Sequence, residues 1–182
     1  MRLFIAIEIP ADLKKKIGRL QVAISGARWV PAEQIHLTLS FLGEVEESAV
    51  EQLSRELARI HPPEFRLSFS GTGCFPDRRR PRVLWIGVEP HPHLQALAAM
   101  VHEVLLACGI PQEARPFSPH ITLARLKIPA SGESAAFFDR PEVLKLPPFP
   151  VREFVLFQSR LTPQGAVHSP IRNFPLSAVG GS

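Results

Sequence analysis

The residues best suited to chemistry in this chain are two histidines, each followed two positions later by a threonine. They occur in QIHLTLSFL, at residues 34–42, and in SPHITLARL, at residues 118–126. Each stretch alternates as a β-strand does, so its histidine and threonine project from one face, about 6.5–7 Å apart. An imidazole and a hydroxyl at this spacing can both contact a group of the size of one phosphate.

Two such pairs facing each other are suited to acid–base cleavage of a phosphodiester. Histidine can be neutral or protonated near neutral pH, so one imidazole can take a proton from water while the other gives one to the leaving oxygen. These oxygens lie on opposite sides of phosphorus, so His36 and His120 must flank it. The hydroxyls of Thr38 and Thr122 can donate to the non-bridging oxygens as negative charge builds there. This chemistry requires no metal, and we expect neither a metal nor a cofactor.

A single His–aliphatic–Thr–aliphatic stretch is explained well enough as a half-buried strand. By average residue usage, about one chain in a hundred of this size contains such a stretch by chance, and about one in ten thousand contains two. Two copies therefore favour a shared role in one site.

The two motifs lie in halves of the chain that are similar to each other. RLFIAIEIP at residues 2–10 is similar to RVLWIGVEP at residues 82–90, and a helical pattern and then a His-x-Thr strand follow each. This repeat of about 80 residues predicts two α+β lobes related by a pseudo-twofold axis, with the His-x-Thr strands facing across a cleft. Helices are predicted at 11–24, 45–60, a segment ending at Gly109 and, more weakly, 132–140, and a hairpin closes the chain.

Length and composition are typical of one globular domain, with 182 residues, 45% apolar and 21% charged. The chain contains no run of about 18 apolar residues, and Glu8 and Pro10 interrupt the apolar N-terminus, so we expect no membrane segment, no export signal and a cytoplasmic location. Two cysteines are too few for a disulfide framework, and the net charge of +4 is compatible with a polyanionic partner. We expect residues 1–182 to form a single bilobal domain in which 177–182 is a disordered tail.

The paired motifs and their surroundings resemble the two-histidine phosphoesterase superfamily. The blocks RLFIAIEIP, HLTLSFLGEV, FPDRRRPRVLWIGV, FSPHITLAR and FVLFQSRLTPQG are most similar to the branch of RNA 2′,3′-cyclic phosphodiesterases, historically named 2′-5′ RNA ligases. The resemblance implies a bilobal α+β fold, with two antiparallel sheets facing across a central cleft and helices outside. It also implies a monomer that binds RNA 3′ ends and opens their 2′,3′-cyclic phosphates to 2′-phosphomonoesters.

The resemblance also implies roles for the two histidines. His36 is expected to donate a proton to the 3′ leaving oxygen, and His120 to accept a proton from the attacking water. The pseudosymmetry leaves this direction open on the residues alone. The closing strand contains VHSPIRNF where this branch often has an aromatic residue. We therefore assign no substrate contact to His168.

Three further residues are candidate substrate contacts. The family pattern HITLAR associates Arg125 with phosphate, although strict alternation points it away from the cleft unless a bulge follows Leu123. Phe41 offers a ring for base stacking, and Arg78 lies in a Pro-bounded loop where it can contact an RNA backbone. The alternatives are a solvated charge for each arginine and core packing for the phenylalanine.

Two other functions remain open. The same cleft chemistry serves small cyclic nucleotides, or 2′-5′ RNA ligation by the reverse reaction. A non-catalytic RNA-binding module with structural histidines is the third possibility, although binding alone does not need two matched acid–base groups.

Overall fold

Strands and helices alternate along both halves of the computed structural model, which describes residues 1–128 and 131–178. The elements of the first half are β1 (Arg2–Glu8), α1 (Ala11–Gly18), β2 (Ala27–Trp29), β3 (His36–Glu44), α2 (Glu47–Leu57), β4 (Phe65–Leu67) and β5 (Phe69–Phe75). Those of the second half are β6 (Val83–Val88), α3 (Pro92–Ala107), β7 (His120–Leu126), α4 (Ser131–Ser134), α5 (Pro141–Leu144), β8 (Phe149–Val151), β9 (Glu153–Thr162) and β10 (Gly165–Pro175). Short 3-10 turns lie at Ala32–Gln34 and Ala135–Phe137.

The strands form two four-stranded antiparallel sheets, as expected, and a two-stranded sheet of β4 and β8. We call the sheet with the order β10-β9-β1-β3 the His36 sheet, and the sheet with the order β2-β7-β6-β5 the His120 sheet. Each sheet takes two strands from each half of the chain. The two halves therefore exchange strands, which the sequence repeat does not reveal.

Strand β1 lies in the middle of the His36 sheet and is covered on both faces. Leu3, Ile5 and Ile7 belong to the main core. On the other face, Phe4 and Ala6 form a second apolar cluster with residues of β9. A strand buried on both faces reads as a continuous apolar run, which accounts for the sequence LFIAI.

The helices bury the predicted apolar stripes, but α1 is shorter than expected. The prediction of a helix over 11–24 is wrong beyond Gly18, where glycine disfavours helix and the chain leaves by 3-10-type bonds from Arg19 N to Lys16 O and from Leu20 N to Ile17 O. Leu20 and Ile24 remain in the core from the loop that follows. The weak helical pattern at 132–140 corresponds to α4 and the 3-10 turn after it.

Ser177, near the C-terminus, contacts the segment before β4. Ser177 N donates to the carbonyl of Pro62 at 2.9 Å, and the Ser177 hydroxyl donates to the carbonyl of His61 at 2.8 Å. The expectation of a disordered tail over 177–182 stays a prediction, since residues 179–182 lie outside the described residues. Among the described helices, none is long and apolar enough to cross a membrane.

Candidate active site

The two sheets approach each other where β3 and β7 meet. On β3, Leu37 and Leu39 are buried while His36 and Thr38 stay partly exposed on the opposite face. On β7 the same alternation buries the two apolar residues of the motif and leaves its His and Thr partly exposed. The face of each sheet opposite the buried leucine and isoleucine side chains thus presents one imidazole and one threonine hydroxyl.

A β-bulge at Leu123 changes which residues of β7 share the face of His120. Thr122 pairs with Trp85 and Ala124 pairs with Leu84, so Leu123 is one extra residue in the ladder. Alternation restarts after the bulge, which leaves Ala124 buried and Arg125 exposed. Arg125 therefore lies on the same face of β7 as His120. In a regular strand, without a bulge, it would lie on the opposite face.

The strand β3 has an equivalent bulge. Thr38 pairs with Ala6 and Ser40 pairs with Ile5, so Leu39 is the extra residue. Phe41 lies five residues after His36, as Arg125 lies five residues after His120, and its ring is 67% exposed. The two bulges thus place an aromatic ring and a guanidinium at equivalent positions.

Both histidines are held by the same backbone contact. Nδ1 of His36 lies 2.7 Å from the carbonyl oxygen of Gln34, and Nδ1 of His120 lies 2.8 Å from that of Ser118. A carbonyl can only accept, so each Nδ1 carries a hydrogen and donates it. In the neutral ring this leaves the lone pair on Nε2, which can take a proton and, once the ring is protonated, can give one.

Aromatic rings surround His36. Phe4 stacks on its imidazole with centroids 4.9 Å apart, and Phe157 lies at 6.3 Å. His168 of β10 lies edge-on to it at 5.2 Å. Sequence reasoning missed His168 as a neighbour, since β10 reaches this place only through its pairing with β9. For Phe4 the sequence did contain a signal, because apolar residues on both faces of β1 indicate a strand that is covered on both sides.

Burial among these rings lowers the pKa of His36 from 6.5 to about 4. The Nδ1 bond to Gln34 opposes this shift, whereas His168 and Lys14 add to it. Burial also lowers the pKa of His168, whose Nδ1 has no hydrogen-bond partner among residues 1–128 and 131–178. At neutral pH, His36 is therefore neutral in the ligand-free protein.

The surroundings of His120 are aromatic as well. The ring of Phe75 lies edge-on to it at 4.9 Å, and Trp85 lies at 6.2 Å. The indole of Trp85 covers Gly73 so closely that a Cβ there would lie 2.3 Å from it. Gly73 thus leaves the space that Trp85 occupies beside the histidine.

Replacing Gly73 by alanine is expected to lower the free energy of unfolding by about 1–3 kcal/mol, since the added methyl group displaces the indole. Thermal unfolding measures this, and kcat/KM should fall too because Trp85 packs beside His120. Gly132→Ala is the matched control, as a Cβ at Gly132 meets nothing within 4 Å. Equal stability of the two variants would contradict the close packing.

Arg78, the remaining candidate, and His91 of the second half contact residues outside the two motifs. The guanidinium of Arg78 lies over the ring of Phe138 at 4.5 Å and within 3.8 Å of the Asp139 carboxylate. His91 accepts a hydrogen bond from His93 N and caps α3. Within the described part of the chain, no three His, Cys, Asp or Glu side chains are grouped as metal ligands.

Two antiparallel sheets that share a core, each presenting a tautomer-fixed histidine and a threonine, define a protein of the two-histidine phosphoesterase class. The comparisons agree with this class. The chain belongs to the LigT-like phosphoesterase family, whose sequence model matches residues 7–85 and again residues 86–168. Each match contains one of the two histidines.

The similarity extends over whole chains. The RNA 2′,3′-cyclic phosphodiesterase of Archaeoglobus fulgidus is 34% identical, covering 96% of this chain and 99% of the relative. The Thermus thermophilus protein of the same name is 38% identical, covering 100% and 93%. The crystal structure of Escherichia coli LigT complexed with 3′-AMP superposes with a TM-score of 0.78 at 32% identity, covering 97% of this chain and 98% of LigT.

Proposed function

We propose that this protein hydrolyses the 2′,3′-cyclic phosphate at RNA 3′ ends to a 2′-phosphomonoester, using His36 and His120 as acid and base. The observation that carries the proposal is the matched pair of imidazoles, each with Nδ1 bonded to a backbone carbonyl, on strands that contact each other. The relatives that match over their full length are named RNA 2′,3′-cyclic phosphodiesterase, and this name supports the substrate class.

In this reaction the phosphate lies between the two Nε2 atoms. Nε2 of His120 accepts a proton from water, whose oxygen bonds to phosphorus while the bond from phosphorus to O3′ breaks. Nε2 of His36 donates a proton to O3′, which leaves a 3′-hydroxyl and a 2′-phosphate. The hydroxyls of Thr38 and Thr122 donate to the non-bridging oxygens. The direction rests on the family resemblance, because the two sites are nearly symmetric.

His36 must gain its proton when the substrate arrives. Its pKa of about 4 keeps it neutral in the ligand-free protein. A bound phosphate places negative charge beside the ring, which favours the imidazolium and raises this pKa. Substrate binding thus charges the acid that the leaving oxygen needs.

Further contacts complete the proposal. The Arg125 guanidinium contributes positive charge on the phosphate side of the cleft, and the exposed Phe41 ring can stack on the terminal base. Arg78 contacts RNA farther from the reacting phosphate. The protein acts as a monomer in the cytoplasm.

The direct test is turnover of a short oligonucleotide that ends in 2′,3′-cyclic phosphate, with EDTA present. The wild-type protein is expected to open the ring and leave a terminal phosphate that resists a 3′-specific phosphatase. An oligonucleotide carrying a 3′-phosphate is the control for that phosphatase. Loss of turnover with EDTA, or a 3′-phosphate product, would overturn the proposed mechanism.

The length of the substrate separates the main alternatives. An enzyme for small cyclic nucleotides should show no gain in kcat/KM from mononucleotide to oligonucleotide, whereas RNA contacts beyond one nucleotide should raise it and steepen its salt dependence. Net ligation should appear as joined product when a 5′-hydroxyl oligonucleotide is in excess. A pure binding module would turn over neither substrate.

A further inference from the structure

Two arginines lie directly opposite each other at one edge of the His120 sheet. Arg28 of β2 pairs with Arg125 of β7 in the antiparallel register. The neighbours of Arg28 on β2, Ala27 and Trp29, pack against the core. Since side chains alternate along a strand, Arg28 lies on the opposite face of the sheet, which is the face that Arg125 shares.

This arrangement is unfavourable without a ligand. Residues directly opposite on antiparallel strands have Cβ atoms about 4.5–5.5 Å apart, where two like charges repel. Both side chains are exposed. Within residues 1–128 and 131–178, neither guanidinium forms an ion pair with a carboxylate. An anion bound between the two would turn the repulsion into attraction.

The position of the pair relative to Thr122 defines which anion fits. Thr122 and Arg125 oppose Trp85 and Val83, which are two residues apart on β6. The arginine is thus about 6.5–7 Å along the strand from the threonine, despite the extra residue. In an RNA end, the next phosphate is one ribose away from the cyclic phosphate, through C5′ of the same nucleoside.

We infer that Arg28 and Arg125 form a second phosphate site, which binds the phosphodiester linking the terminal nucleoside to the one before it. The inference rests on the proposed function, since Thr122 must hold the reacting phosphate. Arginine suits this role because its planar fork can make two parallel bonds to phosphate oxygens. The site selects chain ends over nucleosides that lack a 5′-phosphate.

Two small substrates isolate this contact. A nucleoside 2′,3′-cyclic phosphate with a 5′-phosphate and the same compound with a 5′-hydroxyl differ only in the group that the arginines bind. The wild-type protein is expected to prefer the first. In Arg28→Gln, the ratio of the two kcat/KM values should fall at least about fivefold, as expected for one lost charge-assisted bond.

The matched control is Arg55→Gln, which removes the same charge from the exposed face of α2 and should keep the wild-type ratio. The salt slope of oligonucleotide binding should also fall by about 1 in Arg28→Gln alone. Arg28→Gln is expected to unfold at the wild-type temperature or above, since a like-charge pair is removed.

The outcomes separate this inference from the proposed function. Turnover of neither compound by the wild-type protein, with oligonucleotides also inert, would overturn the function and the inference together. Turnover of both without preference, or a ratio in Arg28→Gln within about twofold of wild type, would overturn the inference alone. A wild-type preference that Arg55→Gln also loses would indicate a long-range charge effect and would likewise refute the site.

Discussion

Replacing either His36 or His120 by alanine is expected to lower kcat/KM for a cyclic-phosphate oligonucleotide by at least about a hundredfold. A positioned general acid or base contributes about 10²–10⁴-fold. In the proposed mechanism both imidazoles act in one transition state, so the double variant should lose much less than the product of the two single losses. Steady-state kinetics at neutral pH with EDTA measures all three variants.

The matched control is His102→Ala, which removes an exposed histidine from α3 and should leave kcat/KM at the wild-type value. Far-UV circular dichroism and thermal unfolding show whether each variant is folded. A folded His36 or His120 variant with wild-type turnover would refute the acid–base pair. No turnover by the folded wild-type protein, with RNA affinity altered in both variants, would favour the binding module.

The second large effect concerns the protonation of His36. In the ligand-free protein, NMR titration is expected to give it a pKa of about 4, because burial against Phe4 and Phe157 disfavours the charged ring. Inorganic phosphate should raise this pKa, since an anion beside the ring stabilises the imidazolium. The spectrum of His36→Ala assigns the resonance.

The same shift makes stability depend on pH. An unfolded chain titrates at the ordinary value of 6.5, so between pH 6.5 and 4 the unfolded state binds more protons than the folded state. The contribution of His36 is complete above pH 6.5 and is lost as the pH falls toward 4. It amounts to at most about 3 kcal/mol, and His36→Ala should remove this part of the pH dependence.

His168→Phe distinguishes the causes of the shift. Burial is the largest cause and the charge of His168 a smaller one, so the pKa of His36 should remain well below 6.5 in this variant. A return to 6.5 would show that the second histidine dominates. A ligand-free pKa of 6.5 in the wild-type protein would contradict the buried environment altogether.

Local patterns were enough to predict the core of the site. Period-2 alternation correctly placed His36 with Thr38 and His120 with Thr122 on the exposed faces of two strands. This works because one buried face restricts the register of a strand. Repetition of the motif then predicted that the two strands face each other across a cleft; β3 and β7 are in contact, and the shared cleft stays a prediction.

What the sequence did not reveal depends on contacts between distant parts of the chain. Leucine is as compatible with a regular strand as with a bulge, so nothing in HITLAR shows that Leu123 is an extra residue. The contact between His36 and His168 requires β9 to pair with β1, and no local pattern in the sequence encodes this pairing. The three-residue strand β2 is too short to show alternation, so the partner of Arg125 was missed.

The exchange of strands between halves affects how the protein can be made. The His36 sheet joins β1, at the N-terminus, to β9 and β10, at the C-terminus. While the ribosome is still translating the middle of the chain, Phe4 and Ala6 lack the β9 residues that cover them. Such long-range pairing slows folding and leaves an apolar surface exposed in the meantime. His36 therefore acquires the ring of Phe157 beside it only after about the last sixth of the polypeptide has been made.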